Sequence, residues 1–391
     1  MLLGRLMNRT IDILTRLISF PTISSATNLP LIYWLQELLA KKGIESWLNF
    51  DATKTKANLF ATIGPQIPGG LLISGHTDVV PVEGQAWASD PFNAAIRDGK
   101  LYGRGSCDMK GFIAATIFCV ENLNVNALKS PIHLAFTYDE EVGCKGVRPL
   151  LTEMQERGLA PTMCVVGEPT SMRIVQSHKG SRNYRCSVKG KAAHASMANE
   201  GVNAIHYAAS VIGKIEELAD SLQKERYPES GYETPCDMLQ TSLIAGGLAR
   251  NIVPSECDFT FGYRYLPQSD PDKIFQHIED FGLNSVLPRM RFKCAETSLV
   301  FEKLSDNPAL HAEINSEFAT QLSQRRGVQG IGPHVGFMTE GGLYQQAGIT
   351  TVICGPGSIE HAHRPDEFVE LSQLSLCSDF LSDLFLHHAC S

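Results

Sequence analysis

The period of the hydrophobic positions changes along this chain, and the changes mark its elements. Residues 11–18 and 30–42 carry apolar side chains at helical spacing. The second of these has Pro30 in its first turn and stops before Gly43, as helix termini do. Residues 58–63 and 71–74 are apolar runs of strand length, and 96–102 turns back on Asp98-Gly99, a two-residue hairpin signal. A mostly apolar helix is predicted over 112–123, a strand over 132–138, a helix over 147–157 and a strand over 163–166. This alternation predicts an α/β domain, a mixed sheet flanked by helices.

Further on the order differs. Residues 182–188 read as a strand and 203–222 as a long amphipathic helix, with Ile205, Ala208, Ile212, Ile215 and Ala219 on one stripe. A strand over 258–265, a helix over 271–281 and a strand over 291–294 complete a β-α-β-β-α-β-like order, that of a small ferredoxin-like α+β unit. A helix over 307–324 and a strand over 350–354 then resume the first pattern. The predicted organisation is a catalytic domain over 1–179 and 296–391, interrupted by an insert over 180–295.

Length supports two cores, since 391 residues exceed what one core usually holds. A net charge of −8 argues against nucleic-acid and anionic-membrane partners, which select a basic face. The eleven cysteines form no C-x-x-C pair and several lie in apolar runs, as reduced core thiols do. The first ten residues hold no apolar signal-peptide core, and no run reaches the roughly 18 apolar residues of a membrane span. A cytoplasmic protein is expected.

Five acidic or histidine clusters follow predicted strands or turns: His76-Thr77-Asp78, Asp108-Met109-Lys110-Gly111, Asp139-Glu140-Glu141, Gly167-Glu168-Pro169-Thr170 and His361-Ala362-His363. Sites in open α/β sheets form at the carboxyl ends of strands, so four of these clusters converge on one rim. Any one alone reads as a cap or a solvated charge. Together, imidazoles and carboxylates without cysteine suit zinc, cobalt or manganese in a hydrolytic site. One carboxylate can bridge two ions, and a neighbouring glutamate free of metal is then needed to move protons. Glu140 and Glu141 can share these tasks only in a turn, because successive strand residues face opposite ways. No G-x-S-x-G elbow, Walker A motif or complete dinucleotide fingerprint is present.

From about Pro30 to the C-terminus the chain resembles the acetylornithine deacetylase / succinyl-diaminopimelate desuccinylase / carboxypeptidase family of di-zinc hydrolases. The resemblance rests on residues 74–80 (SGHTDVV), 102–111 (YGRGSCDMKG), 139–141 (DEE) and 167–170 (GEPT), in that order. It implies two zinc ions, replaceable by cobalt or manganese, with His76 and Glu168 on one, Glu141 and His363 on the other, and Asp108 bridging them. It makes Glu140 the general base and acid, and has the Asp78 side chain hydrogen-bond the far nitrogen of His76. His363 is preferred to His361 because Arg364-Pro365-Asp366-Glu367 follows it.

The insert then resembles the family's lid and dimerisation domain, which implies a homodimer. His194 would reach the partner's site and stabilise the oxyanion, Asn251 would lie near the substrate and Arg264 would bind a substrate carboxylate. Residues 338–342 (MTEGG) and 354–363 (CGPGSIEHAH) are similar to the acetylornithine deacetylase branch. Glu340 would hold a cationic side chain, and Gly357 and Ser358 belong to a loop whose backbone N–H groups would face a carboxylate. The implied reaction is hydrolysis of a small N-acyl amino acid, N2-acetyl-L-ornithine. Another N-acyl-amino-acid deacylase (succinyl-diaminopimelate or acetylcitrulline type) and a dipeptidase or carboxypeptidase are the alternatives, with a non-catalytic scaffold more remote.

Overall fold

The computed structural model describes residues 2–390. In chain order the helices are α1 (Leu2–Ile18), α2 (Leu29–Lys41), α3 (Lys110–Glu121), α4 (Val147–Glu156), α5 (Ala204–Lys224), α6 (Pro271–Phe281), α7 (Leu287–Lys293), α8 (Ala312–Ser323), α9 (Gly341–Gln346) and α10 (Leu371–Cys390). The strands are β1 (Ser46–Phe50), β2 (Ala57–Ile63), β3 (Leu71–His76), β4 (Ala95–Arg97), β5 (Lys100–Tyr102), β6 (Ile132–Thr137), β7 (Met163–Val166), β8 (Gly180–Lys189), β9 (Met238–Gly246), β10 (Glu256–Tyr265), β11 (Ser298–Asn307), β12 (Thr350–Ile353) and β13 (Phe368–Glu370). Among the described residues no helix is long and apolar enough to cross a membrane.

Contacts divide the chain into two compact units: residues 1–177, 310–334 and 339–391, and residues 178–309 with 335–338. The first holds a six-stranded sheet of order β1-β2-β6-β3-β7-β12. β1, β2 and β6 pair antiparallel, and β6, β3, β7 and β12 are parallel, so the sheet is mixed. Every residue of β3 and β6 is buried, the mark of a sheet covered on both faces. The apolar α3 packs on β3 beside α1 and α10. In the β4–β5 hairpin, Asp98 and Gly99 take φ of +50° and +72°, the left-handed pair that a tight two-residue turn requires.

The second unit is a four-stranded antiparallel sheet of order β11-β8-β10-β9, with α5, α6 and α7 packed on it. Asn203 caps α5 by accepting from the His206 N–H at 3.2 Å.

Three expectations change here. Residues 291–294 lie at the end of α7, not in a strand; a four-residue alternation is too short to tell the two apart, and Pro288 marks a helix start. The strand that closes the unit is β11, paired with β8 from Ser298↔Lys189 to Asn307↔Ser181, so the insert runs to Ala309 rather than 295. The following helix begins at Ala312, not 307, because Pro308 holds its predecessor in extended backbone.

Candidate metal centre

The carboxyl ends of the parallel strands carry the chemistry. β3 ends on His76, β6 ends at Thr137 just before Asp139-Glu140-Glu141, β7 leads to Glu168, and β12 leads to the loop that reaches His363. β6 stops because Asp139 turns into the left-handed region (φ +55°), which puts Glu140 and Glu141 in a turn. Gly167 before Glu168 admits no side chain, since a Cβ there would lie 2.0 Å from the Phe112 ring.

Asp108, just before α3, is the centre of the arrangement. Its Oδ1 lies 2.9 Å from His76 Nε2 and its Oδ2 lies 3.2 Å from His363 Nε2. Glu168 Oε1 stands 3.7 Å from His76 Nε2, and Glu141 Oε2 3.1 Å from His363 Nε2. Donor atoms thus gather in two triads that share one aspartate: His76, Asp108, Glu168, and Asp108, Glu141, His363. The first triad is buried, whereas the His363 side chain is 49% exposed. His361 instead packs its ring on Phe368, with centroids 4.2 Å apart.

The electrostatics call for positive charge. Burial, reinforced by Asp108, pushes Glu168 well above the usual carboxylate range. Burial also raises Glu140, against the relief from His76 and with the charges of Glu141, Glu340 and Asp108 adding to it. Hydrogen bonds to Asp108 and Glu141 hold His363 up to about 10. Burial opposes ionisation of Asp108, but its contacts with the two histidines win and hold it below its usual value. A cluster that draws protons onto both imidazoles while its carboxylates repel one another suits divalent cations in the same places. Neither neighbouring thiol joins the donors: Cys107 Sγ donates to the Ser358 carbonyl at 3.3 Å, and Cys144 Sγ to Glu140 Oε1 at 3.6 Å.

Asp78 acts differently from the expectation. The carbonyl of Asp78, not its carboxylate, faces His76 Nδ1 at 2.9 Å; the carboxylate stands off at 3.7 Å. That carboxylate accepts from Ser24 Oγ (2.6 Å) and from the N–H groups of Glu140 (3.1 Å) and Glu141 (3.4 Å), and so shapes the glutamate turn. Glu140 itself is buried and belongs to neither triad.

Glu340 requires a correction. It is 1% exposed, behind β3, with Oε2 accepting from Ser74 Oγ at 3.3 Å. Burial raises it to about 7. A side chain enclosed in this way cannot grip a substrate amine. In the Gly357-Ser358 loop, Ser358 bridges Thr170 and the Gly357 carbonyl accepts from the Ser171 N–H. The nearby Gly355 N–H is already spent on Thr170 Oγ1 at 3.2 Å.

Within the second unit, His194 and Asn251 are neighbours: His194 bridges Ile252, and the Ala195 N–H donates to the Asn251 carbonyl at 2.9 Å. The Ser196 N–H donates to His194 Nδ1 at 3.3 Å, which leaves the proton of the neutral ring on Nε2. Arg264 lies on β10 with its side chain on the exposed side. Sequence reasoning gave no role to Arg104 or Glu367, a fully buried ion pair at 2.7 Å, although both lie in motifs it singled out.

A mixed sheet with a shared-aspartate donor cluster at its carboxyl rim, and a buried glutamate beside it, defines a metal-dependent hydrolase. Comparison with known proteins places it more narrowly. The model of Peptidase family M20/M25/M40 matches residues 72–387, and the chain belongs to this family. It is 32% identical over 388 residues to the acetylornithine deacetylase of Photorhabdus laumondii, covering 97% of each chain. In structure it resembles an M20 family metallo-carboxypeptidase of Sulfolobus solfataricus (TM-score 0.73, 19% identity, 98% and 99% of the two chains). It also resembles the YXEP protein of Bacillus subtilis, a dinuclear metal-binding peptidase of the M20 family (TM-score 0.68, 16% identity, 98% of each chain).

Proposed function

We propose that the chain hydrolyses N2-acetyl-L-ornithine to L-ornithine and acetate, a step of arginine synthesis, with two zinc ions held by His76, Asp108 and Glu168 and by Asp108, Glu141 and His363. The observation that carries the reading is the position of Glu140: a buried carboxyl, raised in proton affinity, adjacent to both donor triads but a member of neither. When bound, two such ions polarise the scissile carbonyl and make a water acidic enough to lose a proton near neutral pH.

Glu140 takes the proton of the attacking water and returns it to the leaving nitrogen as the amide C–N bond breaks. His194, a donor at Nε2, holds the developing oxyanion in the partner subunit's site. Arg264 binds the substrate carboxylate, Asn251 lies beside it, and the Gly357-Ser358 loop contributes backbone N–H groups. The homodimer forms through the insert, whose outer strand β9 exposes Leu243 and Ile244. The 338–342 and 354–363 segments and the nearly full-length similarity to an acetylornithine deacetylase support the substrate.

A panel of acetylated and succinylated amino acids and dipeptides, assayed for amine release by the zinc- or cobalt-loaded enzyme, tests the reading. The highest kcat/KM is expected on N2-acetyl-L-ornithine. A preference for dipeptides or succinyl-diaminopimelate would overturn the substrate and leave the chemistry standing.

A further inference from the structure

The two triads stand on unequal supports. His76 ends a buried central strand. His363 lies in a loop at φ +64°, a backbone conformation that residues other than glycine seldom hold and that neighbouring contacts must enforce. Those contacts converge on one buried ion pair. Arg104 and Glu367 are each 1% exposed and meet at 2.7 Å.

The other carboxylate oxygen of Glu367 accepts from the N–H groups of Cys107 (2.9 Å) and Asp108 (3.1 Å). Glu367 therefore ties the backbone of the shared aspartate to the loop that carries His363 four residues earlier. Arg104 extends the tie, donating to Gln85 Oε1 at 2.6 Å and to the Arg364 carbonyl at 3.3 Å. Gln85 Nε2 donates in turn to the carbonyl of His363 at 2.8 Å. Taking a charge pair out of water costs desolvation that only close geometry and further hydrogen bonds offset, and the bonds of this pair join the segments bearing Asp108 and His363.

We propose that Glu367, Arg104 and Gln85 are positioning residues that hold the His363 loop in register with Asp108 and so set the affinity for the second cation. The first cation, on His76, Asp108 and Glu168, depends on them much less. The inference rests on the two-ion reading of the site.

The test is direct titration of the metal-free full-length chain with Zn(II) and Co(II) against a competing chelator, with the Co(II) absorption spectrum and the melting temperature of the metal-free protein as second readouts. Gln85→Ala removes the side-chain contacts of Gln85 with Arg104, the His363 carbonyl and Trp87 Nε1, and leaves Arg104 still paired with Glu367. Gln85→Glu keeps an acceptor for Arg104 but cannot donate to the His363 carbonyl. In both, the second binding constant should fall about 10–100-fold while the first stays within about threefold, the scale of losses seen when a group supporting a metal ligand is removed.

Arg104→Met/Glu367→Gln removes both charges together, avoids an unpaired buried ion, and should show the same selective loss. A purely architectural role would instead lower the metal-free melting temperature or weaken both ions alike. Wild-type affinity for the second ion in any of these folded variants overturns the proposal. His363→Ala separates this failure from that of the site itself: it should bind one ion, and retention of two would refute the two-ion reading instead.

Discussion

The two halves of the metal centre share Asp108 but are built from different material. His76 and Glu168 stand at the ends of buried parallel strands, 1% and 5% exposed. Glu141 and His363 lie on loops, the latter with half its side chain open. A strand end is placed by the backbone ladder of the whole sheet, whereas a loop ligand is placed only by the side chains that hold the loop. On the two-ion reading, one site would be built into the fold and the other assembled on it.

The largest effect is expected where both halves are served by one group. Glu140→Gln should retain both metals and lose more turnover than the roughly 10²–10⁴-fold typical of acid–base catalysis, because one carboxyl serves two proton transfers. A variant that keeps turnover within about tenfold of the parent would remove Glu140 from the proton path.

Ligand removal should divide the halves. Asp108→Ala is expected to empty both sites and His363→Ala to empty one, as read by elemental analysis of the purified proteins. Equal metal content in the two variants would end the bridging assignment. Chelator should likewise strip the ion of the exposed half first.

His194 is set on a separate unit and is expected to matter for rate but not for metal. His194→Ala should lower kcat with metal content and dimer mass unchanged. If it acts on the partner's site, mixing His194→Ala with Glu140→Gln chains should recover up to about a quarter of wild-type activity per total chain. Half of the dimers are then mixed, each with one complete site. Verified heterodimers without recovery would place His194 within its own subunit or outside catalysis.

The smallest change is expected behind the centre. Glu340 sits near 7 in the folded metal-free protein against 4.5 for a free glutamate. The folded state then binds the extra proton between these values, so Glu340 lowers stability as pH rises through that window. Glu340→Gln should flatten that decline by up to about 3 kcal/mol, at about 1.4 kcal/mol per pKa unit. Denaturant titrations of both metal-free proteins at pH 5 and pH 7.5 would show it. An unchanged pH slope would mean that Glu340 keeps its charge in the fold.

Much of this was legible in the sequence. Period and turn residues located the strands that end at His76 and before Glu168, and the mixture of imidazoles and carboxylates at strand ends pointed to the donor clusters that the fold gathers as a candidate cation site. The strand β9 was not legible: it is an outer strand with both faces largely exposed, so no alternation of burial is written into it. β11 was hidden as well, because its polar face faces solvent and the preceding α7 ends in a short alternating stretch that imitates a strand.

What the sequence by itself determined was the inventory of the site and the kind of elements that carry it, since residue type and hydrophobic period are local properties. Only the tertiary structure decided which atoms face one another. It turned Asp78 from a partner of the His76 ring into the anchor of the glutamate turn. It enclosed Glu340 behind β3 and buried the pair of Arg104 and Glu367, residues far apart in the chain. Burial and partner choice depend on segments distant in sequence, and no local pattern encodes which two loops will share a charge.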